Sequence, residues 1–399
     1  MTVDEQLAIL RRGTSAIVSE DDLRKKLSLG RPLRVKLGLD PTAKDITLGW
    51  AVVLRKIRDF QRLGHTGCII VGNFTAQIGD PTGKSKTRRQ LTRDEVMEYV
   101  ASIQEKLFKI LIPERTQLFY NEDWLGKMTF ADVIRLTSKY TVARILERDD
   151  FTKRLANQQP VSMHEILYPL CQGMDSVEID ADIELGGNDQ LFNNLVGRNL
   201  MESYGLAPQV VMTCPLLVGT DGKEKMSQSL GNYVSITDAP NDIFGKTMSI
   251  PDDLIANWFE LCTDVPTAES SALLADGQNP RNAKMRLARE IVSLYHGDAA
   301  GLDAENYFVD TFVKRQQPVE AEPAEIPADA VADGFVSIPA LVVGLGLAKS
   351  NGAAKDLVKA GAVALDGERV TELRVPLADV SDRVLKVGKH AFRRLHAGS

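Results

Sequence analysis

The chain has 399 residues, which is too long for one ordinary hydrophobic core and indicates two or three domains. Its formal net charge of −6 argues against a protein coated with nucleic acid, and no apolar run approaches the ~20 residues of a membrane span. The N-terminus is too acidic and too mixed for a secretory signal, and the four cysteines are isolated from one another. We therefore expect a cytoplasmic protein with reduced, mostly buried thiols.

The first predicted elements are a helical leader and a strand that feeds a turn and a helix. The leader is expected at 1–32, and Leu33 to Leu39 is apolar and short enough for a strand. Asp40 begins the break after this strand, a helix with apolar residues at helical spacing follows, and a second strand is expected at 66–71. This βαβ pattern places the turn and the helix N-terminus at one edge of a parallel sheet, where amide donors and the helix dipole favour an anion. The stretch therefore predicts nucleotide binding.

A Gly-rich loop that runs directly into four cations follows at 72–89. Glycines permit close approach of the backbone to a ligand, and Lys84 and Arg88 would bring positive charge to a polyphosphate. This combination suits a lid that closes over phosphates. An exposed basic loop without such a role explains the composition equally well.

Residues 94–160 are predicted to be mainly helical, with an insertion between the halves of the sheet at about 110–165. Tyr168, Gln172 and Asp175 then stand at i, i+4 and i+7, on one face of a helix. Three polar groups on one face of an apolar helix predict a common partner. The alternative is that they satisfy one another within a core.

The next predicted strand, at 177–183, ends in a glycine turn that contains Asp189. In doubly wound folds, ligands bind at that edge of the sheet. A second glycine-containing loop with two lysines follows at 222–229 and is predicted to be flexible.

Taken together, these motifs resemble those of the bacterial tyrosyl-tRNA synthetases, class I enzymes with a Rossmann-like catalytic domain, and the resemblance covers essentially the whole chain. The segments that carry it, in the order and spacing of the family, are Gly38-Leu-Asp40-Pro-Thr42-Ala, Ile78-Gly-Asp80-Pro-Thr-Gly-Lys84, Tyr168-x-x-x-Gln172-x-x-Asp175, Gly186-Gly-x-Asp189-Gln190 and Lys225-Met-Ser227. The resemblance implies an α/β protein. Its parts would be a Rossmann-like parallel-sheet catalytic domain at 33–230 with its helical insertion, a helical anticodon-binding domain at 231–315, a linker at 316–334 and an S4-like α+β RNA-binding module at 335–399.

The resemblance also implies roles for single residues, with Asp175 facing the phenol of a bound tyrosine and Asp189 holding the ribose of the adenylate. The residues implied to bind tyrosine are Asp80, Tyr168, Gln172, Asp175 and Gln190. Those implied to bind ATP are Gly38, Asp40, Thr42, Thr47, Gly49, Trp50, Asp189, Lys225 and Ser227. Those implied to act in catalysis are Lys84, Arg88, Lys225 and Thr47.

Lys36 stands where many members carry a tyrosine that donates to the phenol. ATP would be a substrate accompanied by Mg²⁺, with no structural metal in the protein. The family also implies a homodimer joined through the insertion.

The chain departs from the family at two signatures of the ATP site. It has Thr47-Leu48-Gly49-Trp50 where members have His-Leu-Gly-His, and Lys225-Met-Ser-Gln228-Ser where members have Lys-Met-Ser-Lys-Ser. In the family, the first histidine and the second lysine help to stabilise the transition state of adenylation. We therefore expect a tyrosine–tRNA ligase with impaired adenylation. The alternative is a paralogue that binds tyrosine or tRNA without normal aminoacylation, or that uses tyrosyl-tRNA in another reaction. Met174 and Asn188 are milder departures.

The C-terminal segment differs in charge from the rest of the chain. From Ser337 onward there are ten Lys and Arg against six Asp and Glu, a net charge of +4, which leaves −10 for the remainder. Charge alone fits a solvated face, whereas the resemblance to an S4-type module favours tRNA binding. The residues expected to contact RNA are Lys355, Lys359, Arg369, Lys389 and Arg393.

Overall fold

The computed structural model describes residues 1–41, 45–82, 92–313, 321–388 and 391–396. The chain forms two compact units, Met1–Gly301 and Leu302–Ser399. No helix in the described ranges is both long and apolar enough to cross a membrane. Thr42, Lys84, Arg88 and Lys389 lie outside these ranges.

A six-stranded sheet forms the centre of the first unit. Its strands are β1 (Ala16–Val18), β2 (Arg34–Leu39), β3 (Thr66–Val71), β4 (Thr116–Tyr120), β5 (Ile183–Gly187) and β6 (Val210–Cys214). The order across the sheet is β1-β6-β5-β2-β3-β4, and all neighbours are parallel except β1 and β6. The chain builds outward from β2 to β4 and then returns to the other side of β2 to add β5. The switch point therefore lies between β2 and β5, where doubly wound folds bind ligands.

Fifteen helices of the described residues lie wholly in this unit. They are α1 (Val3–Arg11), α2 (Glu20–Leu27), α3 (Leu48–Arg62), α4 (Thr75–Ile78), α5 (Arg93–Leu107), α6 (Glu122–Leu125), α7 (Phe130–Thr137), α8 (Val142–Ile145), α9 (Asp149–Ala156), α10 (Met163–Glu178), α11 (Leu191–Ser203), α12 (Pro240–Met248), α13 (Ile255–Cys262), α14 (Thr267–Leu273) and α15 (Pro280–His296). A further helix, α16 (Asp298–Phe308), continues into the second unit. The predicted α/β class with a parallel sheet is confirmed.

Helix α10 carries residues that are predicted to bind tyrosine, and contacts at its N-terminus hold it in place. Ser162 and Glu165 form a capping box there. The Glu165 carboxylate also receives two hydrogen bonds from Arg154, at 2.7 and 2.9 Å, and both side chains are almost fully buried. Tyr168 and Asp175 lie on the buried side of this helix. The start of α10 is thus held by backbone and charged contacts before the residues of the site begin.

The second unit is built from two small sheets and two helices packed around one core. Its elements are β7 (Glu322–Glu325), β8 (Val331–Ala332), β9 (Phe335–Ser337), α17 (Ile338–Gly344), α18 (Asn351–Lys359), β10 (Val363–Leu365), β11 (Glu368–Arg369), β12 (Arg374–Pro376), β13 (Val384–Val387) and β14 (Ala391–His396). The five-stranded sheet has the order β11-β10-β13-β14-β7, and the three-stranded sheet has the order β12-β9-β8. Val336, Leu341, Leu385 and Leu395 are among its fully buried core residues. This is the α+β module expected from the sequence.

The predicted linker at 316–334 is wrong in its second half. Strand β7 pairs in parallel with β14, and the Ile326 amide donates to the His396 carbonyl at 2.9 Å. Ile326 and Ala330 are buried in the core of the second unit. Proline-rich, acidic composition suggested a linker, but β7 is an edge strand, where Pro323 is tolerated because one side of the strand needs no hydrogen-bond donors.

Three other predicted boundaries also differ from the structure. The helical leader contains β1, and the helical insertion contains β4, so both outer strands of the sheet were missed. The strand predicted at 177–183 begins only at Ile183, because α10 continues to Glu178. The alternating apolar residues have another cause, since Ile179 and Ala181 lie in the turn after α10 and pack against β3.

We expect Ile326→Ala to destabilise the second unit by about 2–5 kcal/mol, because it removes buried methyl groups next to the β7–β14 pairing. Native-state hydrogen exchange at the β14 amides measures this effect in the full chain. Glu325→Ala is the matched control, since Glu325 is the exposed last residue of β7, next to Ile326. Equal protection in the two variants would mean that the segment contributes no more than a linker.

Candidate active site

A cleft of about 460 Å³ opens at the carboxyl ends of β2 and β5, at the switch point of the sheet. It brings together every predicted tyrosine- and ATP-binding residue that the structure describes. These are Gly38, Asp40, Thr47, Gly49, Trp50, Asp80, Tyr168, Gln172, Asp175, Asp189, Gln190, Lys225 and Ser227. The strands, α3, α10 and two loops therefore converge on one cavity from widely separated parts of the sequence.

Asp40, at the end of β2, is held from two sides. The Tyr168 hydroxyl donates to Oδ2 at 2.7 Å, and the Thr75 hydroxyl donates to Oδ1 at 2.7 Å. Gly72 is required beside it, because a Cβ there would lie 2.0 Å from Asp40 Oδ1. Burial, followed by the charge of Asp40, raises the pKa of Tyr168 well above its usual value, so Tyr168 is a neutral donor. Asp40 thus holds the Tyr168 side chain in place by accepting this hydrogen bond.

Asp80 lies at the opening of the same pocket and is fixed by a local turn. The Thr82 hydroxyl donates to Asp80 Oδ1 at 2.6 Å, and Gln190 Nε2 donates to Oδ2 at 2.8 Å. Asn193, one turn into α11, donates to Gln190 Oε1 at 3.0 Å. Asp80 and Gln190 therefore form one hydrogen-bonded pair across the cleft, with a carboxylate available to an ammonium group.

Asp175 lies deep in the cleft and is 2% exposed. Trp124 Nε1 donates to its Oδ1 at 2.9 Å, and Asn121 Nδ2 lies 3.4 Å from its Oδ2. Burial raises the pKa of Asp175 to about 7, against the opposing effects of the Lys36 charge and these two donors. Such a carboxylate can accept a hydrogen bond from a ligand hydroxyl that reaches this depth. The sequence contained no signal for Asn121 or Trp124, which come from the connection after β4.

A buried ion pair, which the sequence analysis did not predict, lies at the centre of the sheet. Lys36 and Glu184 are opposite each other in the register of β2 and β5, with Nζ and Oε1 2.9 Å apart. The Ser176 hydroxyl also contacts both of these side chains, and Gln209 Nε2 donates to Glu184. Gln172 Nε2 lies 3.3 Å from Glu184 Oε1. The available signal was a lysine inside the strand predicted at 33–39 and a glutamate directly after the strand predicted at 177–183.

Thr47 has a structural task in the altered turn. Its hydroxyl accepts from the Trp50 amide at 3.4 Å as the N-cap of α3, and its side chain is buried. The sulfur of Met226 lies 3.3 Å from the Gly49 amide, which joins this turn to the loop at 222–229. Trp50 is half-buried and lines the cleft.

The loop that contains Lys225 contacts both sides of the cleft. Lys225 Nζ lies 3.0 Å from Asp189 Oδ2, beyond the end of β5. Gln228 Nε2 donates to the Asp45 carbonyl at 2.7 Å, just before α3. The Ser227 amide donates to Asn232 Oδ1 at 2.9 Å. Gln228 thus makes a neutral hydrogen bond at the position where the resemblance implies a second lysine.

The two milder departures lie outside the described lining of the cleft. Met174 packs in the core formed by α10 and α11, and Asn188 Nδ2 donates to the Ser15 hydroxyl at 3.1 Å. Among the described residues, no group of three or more His, Cys, Asp or Glu side chains is arranged to hold a metal ion.

The predicted RNA-binding residues of the second unit have two kinds of environment. Lys355 and Lys359 are exposed one turn apart on α18, and Arg369 is exposed on β11. Arg393, in contrast, lies 3.0 Å from Glu322 of β7, and this contact joins two strands. Among the described residues of this set, those exposed to solvent are therefore Lys355, Lys359 and Arg369.

Comparison with known proteins agrees with this geometry. A family model described as tRNA synthetases class I (W and Y) matches residues 28–313. The tyrosine–tRNA ligase of Moorella thermoacetica is 51% identical over 402 residues, covering 99% of this chain and 96% of that protein. The tyrosine–tRNA ligase of Thermotoga maritima is 48% identical and covers 100% of this chain and 99% of its own length.

Solved structures agree with the fold. A C-terminally truncated mitochondrial tyrosyl-tRNA synthetase from Aspergillus nidulans superposes with a TM-score of 0.64 at 22% identity, covering 78% of this chain and 94% of that one. The tyrosyl-tRNA synthetase of Archaeoglobus fulgidus complexed with L-tyrosine gives 0.62 at 20% identity, with coverage of 76% and 100%. The chain therefore belongs to the class I tRNA synthetases of the W and Y family, and within it to the tyrosyl-tRNA synthetases.

Proposed function

We propose that this protein is a tyrosine–tRNA ligase whose adenylation step is slowed by its altered ATP site. In the first step the tyrosine carboxylate attacks the α-phosphate of ATP, giving tyrosyl-adenylate and pyrophosphate. In the second, the terminal ribose hydroxyl of tRNA(Tyr) attacks the mixed anhydride and releases AMP. The observation that carries the proposal is a single cleft with a buried carboxylate, Asp175, at its base and a nucleotide-type turn at its edge.

In this proposal L-tyrosine binds with its phenol towards Asp175 and its ammonium towards Asp80. Tyr168, Gln172 and Gln190 would complete the ammonium site. The arrangement is supported by Asp80 and Asp175 lining the same cleft, each already held by neutral donors. Fixed acceptors need little reorganisation when the ligand arrives, which favours selective binding.

ATP would bind along the turn between β2 and α3. The ribose would be held by Asp189 and the phosphates by the amides of the turn, by Lys225 and by Thr42, Lys84 and Arg88. Lys225 would have to leave Asp189 for the phosphates as the ribose arrives, because the two side chains form an ion pair across this part of the cleft. Mg²⁺ would enter with ATP, bound to its phosphates.

The adenylation step is expected to be slow because three donors implied by the family are replaced, two of them by groups with other tasks. Thr47 caps α3, and Gln228 donates to a backbone carbonyl. One preorganised transition-state donor is typically worth about 3–4 kcal/mol, so two or three missing donors would remove much of the rate enhancement. The same contacts favour the alternative, a paralogue that binds tyrosine or tRNA without normal aminoacylation, or that uses tyrosyl-tRNA in another reaction.

Tyrosine-dependent exchange between pyrophosphate and ATP tests this proposal. We expect slow or absent exchange in the native chain and a gain of orders of magnitude in Thr47→His/Trp50→His/Gln228→Lys, since each restored donor is worth about 10²–10³ in rate. The matched control is Thr47→Ser/Trp50→Phe/Gln228→Asn, which changes the same positions without restoring imidazole or ammonium.

Ordinary exchange by the native chain would contradict the slowed step and make Thr47 and Trp50 working substitutes. A repaired variant that folds and binds tyrosine and ATP but still lacks exchange would refute the claim that these three positions limit adenylation. No tyrosine binding by the native chain would refute the ligase and the tyrosine-binding paralogue together.

We also propose a homodimer formed through the insertion. Five large apolar side chains are exposed between residues 130 and 163, and two of them, Phe130 and Met163, are 80% and 71% exposed. Ile134, Val142 and Leu155 are the others. A concentration of exposed apolar side chains in one segment is consistent with an interface between protein chains.

We expect Phe130→Glu/Val142→Glu to convert the dimer to a monomer, because it places two charges where an apolar contact would be buried. Sedimentation at micromolar concentration measures the change. Leu302→Glu is the control, as Leu302 is half-exposed outside the insertion. Monomeric native protein under these conditions would contradict the proposed assembly.

For the second unit, we propose binding of tRNA(Tyr) by exposed cations. Replacing Lys355, Lys359 and Arg369 with Gln should make the slope of log K for tRNA against log salt less steep by about 2. Each phosphate that the protein no longer neutralises accounts for roughly 0.7–0.9 of this change. Filter binding across a salt series measures the slope. Arg393→Gln is the comparison, because Arg393 already pairs with Glu322. An unchanged slope in the triple variant would remove these cations from the interface.

A further inference from the structure

Lys36 lies in the middle of β2 and has 0% of its side chain exposed. Its ammonium group carries three protons and contacts three acceptors: the Gln172 carbonyl at 2.8 Å, the Ser176 hydroxyl at 2.7 Å and Glu184 Oε1 at 2.9 Å. Every donor of this side chain is therefore satisfied inside the protein. Such a set of acceptors matches the three donors of an ammonium group.

Stability gives no sufficient reason for this pair. Removing two charges from water costs about as much as their attraction returns, and apolar replacement of both members of a buried pair is often neutral or stabilising. The position of the ammonium suggests another role. Gln172 and Ser176 lie on either side of Asp175 on α10, so Lys36 contacts the turn that carries the carboxylate at the base of the cleft.

The charge of Lys36 acts on Asp175 against the effect of burial. Burial is the largest influence and raises the pKa of Asp175, Lys36 is the next and lowers it, and Glu184 on β5 raises it by a smaller effect. On α10 itself, burial raises the pKa values of Tyr168 and Cys171, so both side chains are neutral near pH 7. The donors that face Asp175 from the other side, Asn121 and Trp124, carry no charge.

We propose that Lys36 is the positioning residue for amino-acid selection, since its ammonium holds the α10 turn that carries Asp175 and places a positive charge near the carboxylate that accepts the phenol hydroxyl. This inference rests on the proposed binding of tyrosine in the cleft. A carboxylate accepts a stronger hydrogen bond from a hydroxyl than a neutral carboxylic acid does. Phenylalanine would also remove water from Asp175 without supplying a hydroxyl in its place, and this uncompensated desolvation disfavours phenylalanine.

The proposal makes tyrosine affinity depend on pH in a defined direction. Because burial raises the pKa of Asp175 to about 7, tyrosine must displace a proton below that pH, and its affinity falls as the pH is lowered from 7. Phenylalanine makes no hydrogen bond to the carboxylate. The difference in affinity between the two amino acids should therefore increase from pH 6 to pH 8.

The midpoint of this pH dependence is the pH at which half of the Asp175 side chains are ionised. Two charge variants should move it in opposite directions. Lys36→Met/Glu184→Gln removes both charges, and because the Lys36 effect is the larger one, the midpoint should rise. From a midpoint of about 7, a rise of one pH unit corresponds to about fivefold weaker tyrosine binding at pH 7, and to about tenfold weaker binding well below it. Glu184→Gln alone keeps the ammonium and removes the opposing carboxylate, so the midpoint should fall.

Ser176→Ala is the matched structural control. It removes one neutral acceptor of Lys36 and leaves both charges in place. Its effect on tyrosine affinity, if any, should be equal at every pH. A merely structural role for Lys36 predicts the same pH-independent weakening in all three variants.

Calorimetric titration with tyrosine and with phenylalanine from pH 5.5 to 8.5 tests the inference, with thermal unfolding as the check of folding. Opposite shifts of the midpoint in the two charge variants support the inference. If the unpaired ammonium prevents Glu184→Gln from folding, a rise of the midpoint in Lys36→Met/Glu184→Gln supports the inference by itself. An unchanged midpoint in a folded double variant overturns it while leaving tyrosine binding intact. Native protein that binds neither amino acid would instead refute the proposed function itself.

Discussion

The pairing of β2 with β5 is the constraint on which the rest of the site depends. Lys36 and Glu184 are partners in that pairing, and their ion pair lies where the direction of the sheet's growth reverses. A charge pair inside a sheet requires polar side chains around it. These are supplied by Ser176 of α10 and by Gln209, the residue before β6. The pair therefore fixes α10 over the sheet, and with it the position of Asp175.

The two halves of the cleft differ in how strongly their side chains are held. The base is made of buried groups with fixed partners, and removal of one member of a buried ion pair typically costs about 3–5 kcal/mol. The side formed by the loop at 222–229 has more solvent-exposed parts, and the Lys225 side chain, for example, is half-exposed. Replacement of an exposed side chain usually changes stability by less than about 0.5 kcal/mol. Substitutions near Lys225 are therefore expected to cost less stability than substitutions near Lys36.

The altered turn keeps its shape because backbone contacts maintain it. Thr47 supplies the N-cap oxygen, and the Leu48 amide donates to the Val234 carbonyl at 2.9 Å. Gln228 donates to a backbone carbonyl, where no charge is required. These hydrogen bonds hold the turn and the loop at 222–229 in place without a histidine at positions 47 and 50 and without a lysine at position 228.

The α/β class and the β2–α3–β3 unit could be predicted from local patterns, since apolar periodicity and glycine turns depend on neighbouring residues. The set of residues that line the cleft was implied by the resemblance to the tyrosyl-tRNA synthetases. Reasoning from local patterns misassigned β7, because composition reports on solubility and not on whether an edge strand finds a partner such as β14. It also missed β1, and its expected strand at 177–183 began too early.

Which polar groups meet could be learned only from the tertiary structure. The fold paired Lys36 with Glu184 across 148 positions of sequence and brought Trp124 to Asp175. It also assigned Thr47 and Gln228 to structural hydrogen bonds. Burial and electrostatic effects depend on distances between such remote groups. For this reason the raised pKa of Asp175 follows from the fold and from no local feature of the chain.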